Sequence, residues 1–308
     1  MSEDSPTAVF LAIYIITFLI GFPNSALALY SCIYKIRRKP IPIDILMLNL
    51  TISDLIFLTF LPIKMKEAAD NMVWNMPHFL CHFHMFVFFL PLYSSSLFLT
   101  AISAERYVCI AFPVKYKSPK RIIYTVPICV GIWVLVGVTS LFVYKAAQID
   151  SDEADNTNTT NQRPLVTEPQ TCYSNFTEEQ IRQLLPTRLG LAVVFFFLPL
   201  ITCCFCYINV VCILLKRPLI NRKRKLRAIG LALGTLLFFA GSFAPYNISH
   251  LVGFIKKENT KWRMTTIILT TLNACYDPII FFCISREMRR VIKVCAKAFI
   301  QFYANFKG

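Results

Sequence analysis

The sequence predicts an all-α membrane protein, a seven-transmembrane helix bundle with an amphipathic eighth helix. Three observations carry that reading. Of the 308 residues, 56% are hydrophobic and 16% charged, with a mean hydropathy of +0.55, whereas soluble domains carry about 25% charged residues. Seven apolar stretches are each long enough to cross about 30 Å of hydrocarbon at about 1.5 Å per residue. Basic residues gather on alternate connections between those stretches, and such a bias sets the orientation of a membrane protein.

The seven spans are predicted at 8–34, 43–65, 78–108, 122–144, 184–215, 227–255 and 262–283. Residues 1–7 form a short outer N-terminus, 8–283 the bundle and 284–308 an inner helix and tail. The N-terminus is acidic (Glu3, Asp4) and the first apolar run outlasts the core of a signal peptide, so the first helix is expected to serve as its own insertion signal. Span two carries Asp54 in mid-membrane, and span three ends in Glu105-Arg106-Tyr107. Trp133 is central in span four; Arg188, Pro199 and Tyr207 lie in span five. Span six holds Phe243, Pro245 and His250, and span seven runs from Arg263 to Asn273 and Asp277-Pro278. Seventeen prolines, many within apolar stretches, fit membrane helices better than a soluble helical core. Beyond span seven, Ile284, Met288, Val291, Ile292, Val294 and Cys295 stand among basic residues, the pattern of a helix lying on an anionic inner leaflet. Cys295 is a candidate for palmitoylation.

Charge placement decides the partners. A net charge of +15 would point to nucleic acid in a soluble chain. These cations instead sit at Lys35–Lys39, at Lys115–Arg121, at Lys216–Arg227 and in the tail from Arg286. All are connections on one side, which is therefore the inside, leaving the N-terminus outside. The outer connection at 145–183 is acidic and contains the glycosylation sequons at Asn158 and Asn175. Sequons at Asn49 and Asn247 fall within spans, out of reach of a glycosyltransferase. Twelve cysteines lack the paired CxxC spacing of a zinc site. No catalytic signature such as HExxH or GxSxG is present, and the membrane acids lie on different spans, so an enzyme is not expected. Seven spans cannot divide into equal halves, which weakens a transporter reading.

Asp54, Glu105-Arg106-Tyr107, Trp133, Pro199, Pro245 and Asp277-Pro278, each in its span, resemble the rhodopsin-like G-protein-coupled receptors across essentially the whole chain. The resemblance implies that Arg106 is a switch that leaves Glu105 to meet a G protein, with Tyr107 and Tyr207 beside it. It also implies a polar pocket of Asp54, Ser95, Asn273 and Asp277, sensitive to an allosteric sodium ion, and no other cofactor. Cys81 and Cys172 resemble the family's outer cross-link, on the oxidising side where disulfides persist. With that sulfur engaged, a metal cluster of His78, Cys81, His82 and His84 is disfavoured.

A narrower resemblance is to the free fatty acid receptors, most of all the short-chain members. It rests on Arg38-Lys-Pro, Leu48-Asn-Leu-Thr-Ile-Ser-Asp54, Leu185-Pro-Thr-Arg188-Leu, Pro245-Tyr-Asn-Ile-Ser-His250, Trp262-Arg263 and Leu272-Asn-Ala-Cys-Tyr-Asp277-Pro. It implies that Arg188 and Arg263 bind a carboxylate with His250 and Tyr246, that Tyr93 lines the pocket, and that inhibitory and Gq-class G proteins are the inner partners. The residues make physical sense of this: neither arginine has an acidic residue within a helical turn of sequence, and a guanidinium fork takes a carboxylate in bidentate geometry. The plainer alternative is that both snorkel or pair with loop acids such as Glu178 or Glu258. At a ceiling of about 1.5 kcal/mol per heavy atom, a five-atom acid binds no tighter than about micromolar.

The sequence also departs from the pattern. Ser25 stands where the family has asparagine, with Asn24 one residue early, which puts the link to Asp54 in doubt. Thr139 lies near a second histidine of the short-chain receptors, and Phe89 replaces a pocket tyrosine. Phe88-Phe89-Leu90-Pro91-Leu92-Tyr93 resembles the medium- and long-chain receptor instead, so a more apolar floor is expected. The rival ligand is another small anion: a longer fatty acid, a hydroxy acid or a dicarboxylate. A transporter or channel is the remote alternative.

Overall fold

A computed structural model describes residues 5–116, 120–156, 172, 178–218, 221–260 and 262–284, and every regular element among them is helical. In chain order these are α1 (Ser5–Arg38), α2 (Pro42–Ala69), α3 (His78–Ala111), a single turn α4 (Pro113–Tyr116) and α5 (Lys120–Asn156). Then follow α6 (Glu178–Ala192), a π-helical stretch (Val193–Phe197), α7 (Leu198–Lys216), α8 (Arg222–Lys256), α9 (Arg263–Thr271) and α10 (Asn273–Ile284). The predicted inner amphipathic helix and tail beyond Ile284, with Cys295, and both sequons at Asn158 and Asn175 lie outside the described residues.

Local chemistry explains the boundaries. Pro42 sits in the opening turn of α2, where a missing N–H costs nothing. Asn71 and Met72 take left-handed backbone (φ 57° and 63°) and turn the chain after α2. The Asn221 side chain caps α8 by accepting from the Lys223 N–H at 3.0 Å. At its far end Lys257 is left-handed (φ 56°), and the N–H groups of Lys257 and Glu258 return to the Gly253 carbonyl. A Cβ on Gly253 would come 3.0 Å from the Glu258 carbonyl oxygen, so this close return, which leads the chain on to Arg263, favours glycine.

Six helices are long and apolar enough to cross a membrane. The seventh span is divided at Leu272 into α9 and α10, each too short to cross alone. Around the break the Thr270 and Thr271 hydroxyls donate to the Ile267 and Ile268 carbonyls one turn earlier, and Pro278 has no N–H to offer Ala274. Span five is interrupted as well. Pro199 cannot bond the Phe195 carbonyl four residues back; that carbonyl accepts the Ser96 hydroxyl of α3 instead, and the backbone around it opens into a π turn. Neither interruption is visible in hydropathy. Two ends also run longer than predicted, α5 to Asn156 rather than 144 and α6 from Glu178 rather than 184, because a helix continues in water after its apolar stretch has ended.

Large apolar side chains cover the outside, among them Leu19, Val130, Ile201 and Leu237 at 66%, 56%, 65% and 72% exposure. Contiguous apolar surface of that extent belongs in lipid. Polar groups work inside. Ser53 on α2 joins Ser94 and Ser95 on α3 at 2.7 and 3.2 Å, and Trp133 on α5 donates to Asn49 on α2 at 2.9 Å. Helix α3 packs against α2, α5 and α7, while α10 closes the ring against α1. Ser25 is fully buried and Asn24 only partly, so the shorter side chain does hold the interior position. Replacing Trp133 with phenylalanine should lower stability by about 1–3 kcal/mol, since the Asn49 oxygen loses its donor. A lower thermal midpoint of the purified protein in detergent checks this.

Candidate functional site

Two guanidinium groups meet at the bundle end that carries the Cys81–Cys172 disulfide (Cα–Cα 5.8 Å, 91 residues apart in sequence). Arg188 projects from α6, one helical turn before the π stretch, and Arg263 opens α9 after the Gly253 return. Both are buried, at 6% and 5% exposure, which is costly for a cation unless polar groups surround it. They line one cleft with Phe89 and Tyr93 of α3 and with Tyr246, Asn247 and His250 of α8. Its atom-free space is about 430 Å³, open mouth included. Thr187, Leu184, Leu191 and Ala192 complete the wall.

The spacing within each helix accounts for this. Tyr246, Asn247 and His250 recur at three- and four-residue intervals on one face of α8, and the Tyr246 and His250 rings meet edge-on at 4.5 Å. Phe89 and Tyr93 are likewise one turn apart and stack at 6.1 Å, with Tyr93 against Phe195 of the π stretch at 4.7 Å. All six residues expected at a ligand site by resemblance therefore reach one cleft. The arginines do not reach Glu258 in any described hydrogen bond or ion pair; Glu258 is exposed, and Arg188 Nη1 donates to Asn259 Oδ1 at 3.3 Å. The Glu178 side chain lies outside the described residues. Thr139 does not line the cleft: its hydroxyl donates to the Leu135 carbonyl of its own helix. His84 is buried between Trp74 and Phe88, Cys81 is in the disulfide, and the side chains of His78 and His82 lie outside the described residues.

Residues 23–281 match the family described as 7 transmembrane receptor (rhodopsin family). Free fatty acid receptor 3 of Mus musculus is 40% identical over 275 residues, 89% of this chain and 82% of that one. Free fatty acid receptor 2 of the same species is 39% identical over 94% of this chain and 86% of that protein, and free fatty acid receptor 1 of Rattus norvegicus is 32% identical over 90% and 91%. The chain belongs to the free fatty acid receptor family. It is thus a rhodopsin-type G-protein-coupled receptor, a multi-pass membrane protein and not an enzyme.

At the receptor's opposite, basic end, Arg106 and Tyr207 share a second cleft of about 590 Å³ with Cys109, Val210 and Leu231. The expected neighbour pair of Glu105 with Arg106 is not what this conformation holds. Glu105 accepts two hydrogen bonds from Arg121 of α5, both at 2.9 Å, and Arg106 donates to Thr235 of α8 at 3.4 Å. Adjacent residues on a helix point about 100° apart, so each finds its partner on a different neighbour. Tyr107 turns outward against Phe112 and Phe205. In mid-membrane, Asp54, Ser95 and Asn273 line a small polar pocket beside Phe57 and Phe243. Asp277 is outside that lining; it accepts the Asn273 amide at 2.7 Å.

Sequence reasoning missed four residues. Asn247 was set aside as an unused sequon, although it lies three residues before His250 on the same face. Arg121 was counted only as an inner-loop cation, and Lys64 with Glu67, buried in α2 and 2.6 Å apart, was not singled out despite its i, i+3 spacing.

Proposed function

We propose that this receptor is activated by free fatty acids, chiefly short-chain carboxylates, entering from the disulfide end and bound between Arg188 and Arg263. The observation that carries the reading is the convergence of two buried guanidiniums, the His250 imidazole and the Tyr246 phenol on one cleft. Relatives at 39–40% identity are named free fatty acid receptors 2 and 3, which supports the ligand class. One guanidinium fork holds the carboxylate oxygens in the plane while the second supplies further charge-assisted donors. His250 and Tyr246 orient the head group, and Phe89 and Tyr93 contact the alkyl part.

The disulfide end faces outward and the basic end inward, with the N-terminus extracellular, in keeping with the charge bias of the connections. Carboxylate binding draws α6, α8 and α9 together at the outer end. Movement of α8 about Pro245 then widens the cleft between Arg106 and Tyr207 for a heterotrimeric G protein of the inhibitory or Gq class. Asn158 and Asn175 carry glycans in this orientation. A sodium ion suits the mid-membrane pocket, where Asp54 Oδ2 is buried with no hydrogen-bond partner among the described residues and the Ser95 and Asn273 oxygens stand close; bound there, it would supply a compensating positive charge.

A concentration–response panel of linear carboxylates from two to twelve carbons, read through both inhibitory and Gq signalling, tests the reading. Responses beginning with the shortest acids are expected. Flat responses at every length would remove the fatty-acid assignment.

A further inference from the structure

Glu105 and Arg121 form a closed pair at the inner end, between α3 and the start of α5. One guanidinium nitrogen reaches both carboxylate oxygens at 2.9 Å, and the two side chains are only 16% and 26% exposed. The same guanidinium lies 5.7 Å from the Tyr116 ring centre, so the α4 turn is clasped to the pair. Arg106, next along α3, has a weaker hold. Its one described hydrogen bond runs to the neutral Thr235 hydroxyl of α8, at 3.4 Å. Other cations at this end are committed, Lys35 to Asp44 at 3.4 Å and Arg217 to the Ile110 carbonyl at 3.1 Å. A Glu105 released from Arg121 would therefore meet Arg106 as its nearest cation in sequence, and an ionised carboxylate attracts a guanidinium more strongly than a hydroxyl does.

We propose that Arg121 is a positioning residue for G-protein coupling: by holding Glu105 against α5, it leaves Arg106 extended into the inner cleft instead of folded back onto its own neighbour. The inference rests on the reading of that cleft as the G-protein side and is independent of the ligand. Arg106 shares the cleft with Tyr207 and the apolar side chains of Val210 and Leu231, so its guanidinium is the cleft's charged group only while Glu105 is engaged elsewhere. Loss of Arg121 sets Glu105 in competition for Arg106, and coupling falls with the fraction of receptors whose guanidinium still faces the cleft. At the strength of a partly exposed ion pair, that fraction should fall about three- to five-fold.

The test compares purified receptor variants, reconstituted with a heterotrimeric G protein and matched for folded receptor, by their rate of nucleotide exchange with and without butanoate. Arg121→Gln should lower that rate about three-fold or more. Arg121→Lys, whose single ammonium can still meet both carboxylate oxygens, should keep about half of it or more. In a Glu105→Gln background no carboxylate is left to draw Arg106 back, so there Arg121→Gln should make no difference. An undiminished rate in Arg121→Gln, an equal loss in both backgrounds, or a lysine no better than glutamine would each overturn the proposal. Arg106→Ala distinguishes the two levels: a rate equal to that of the unmodified receptor removes the inner-cleft reading itself, whatever the Arg121 variants do.

Discussion

Arg263→Ala and Arg188→Ala receptors, present at the surface in normal amounts, are expected to give no measurable response to short-chain acids. Removing one partner of a desolvated charge pair costs about 2–5 kcal/mol, a rightward shift of about thirty-fold or more. A ligand of five or six heavy atoms starts from weak affinity, so that shift takes it beyond usable concentrations. Lysine should restore little. It keeps the charge but loses the fork, and at a bidentate site that exchange is not conservative. His250→Ala leaves both forks in place and should cost less than either arginine. Concentration–response curves normalised to surface expression separate these outcomes.

The second large effect concerns the framework that holds those arginines. Cys81→Ser, Cys172→Ser and the double substitution should each reduce surface expression sharply. The bond between them spans 91 residues and ties the start of α3 to the connection leading toward α6. Removing a native disulfide typically costs about 2–5 kcal/mol, against a total stability of about 5–15 kcal/mol. The double substitution should be no worse than either single one, because the first already abolishes the bond. An additive loss would mean that the cysteines contribute by separate packing.

Much of this was legible in the residues. Membrane spans leave an unambiguous trace because every apolar face must meet lipid, and the described helices cover each predicted stretch. Asp54, Arg106 and Trp133 stand out in sequence because polar groups in an apolar run need a reason. What hydropathy does not encode is which carbonyl a proline releases and who claims it. The Ser96 bond to Phe195 joins residues on different helices, and the π turn follows from that tertiary contact rather than from local propensity. The Glu105–Arg121 pair was hidden for the same reason: neighbouring charges invite a local reading, while helix geometry sends them to different partners. Helical spacing likewise groups Tyr246, Asn247 and His250, but nothing in a single helix says that this face meets Arg188 of one neighbour and Arg263 of the next. That knowledge came from family resemblance, and the cleft geometry agrees with it.

The central claim is recognition of a negative charge by paired guanidiniums, and it is tested most directly without altering the receptor. Purified receptor reconstituted with a heterotrimeric G protein would be presented with butanoate and with butanamide, its neutral near-isostere, while nucleotide exchange is followed. Recognition by Arg188 and Arg263 predicts exchange with the acid and none with the amide at the same concentrations. Equal exchange with both would contradict it.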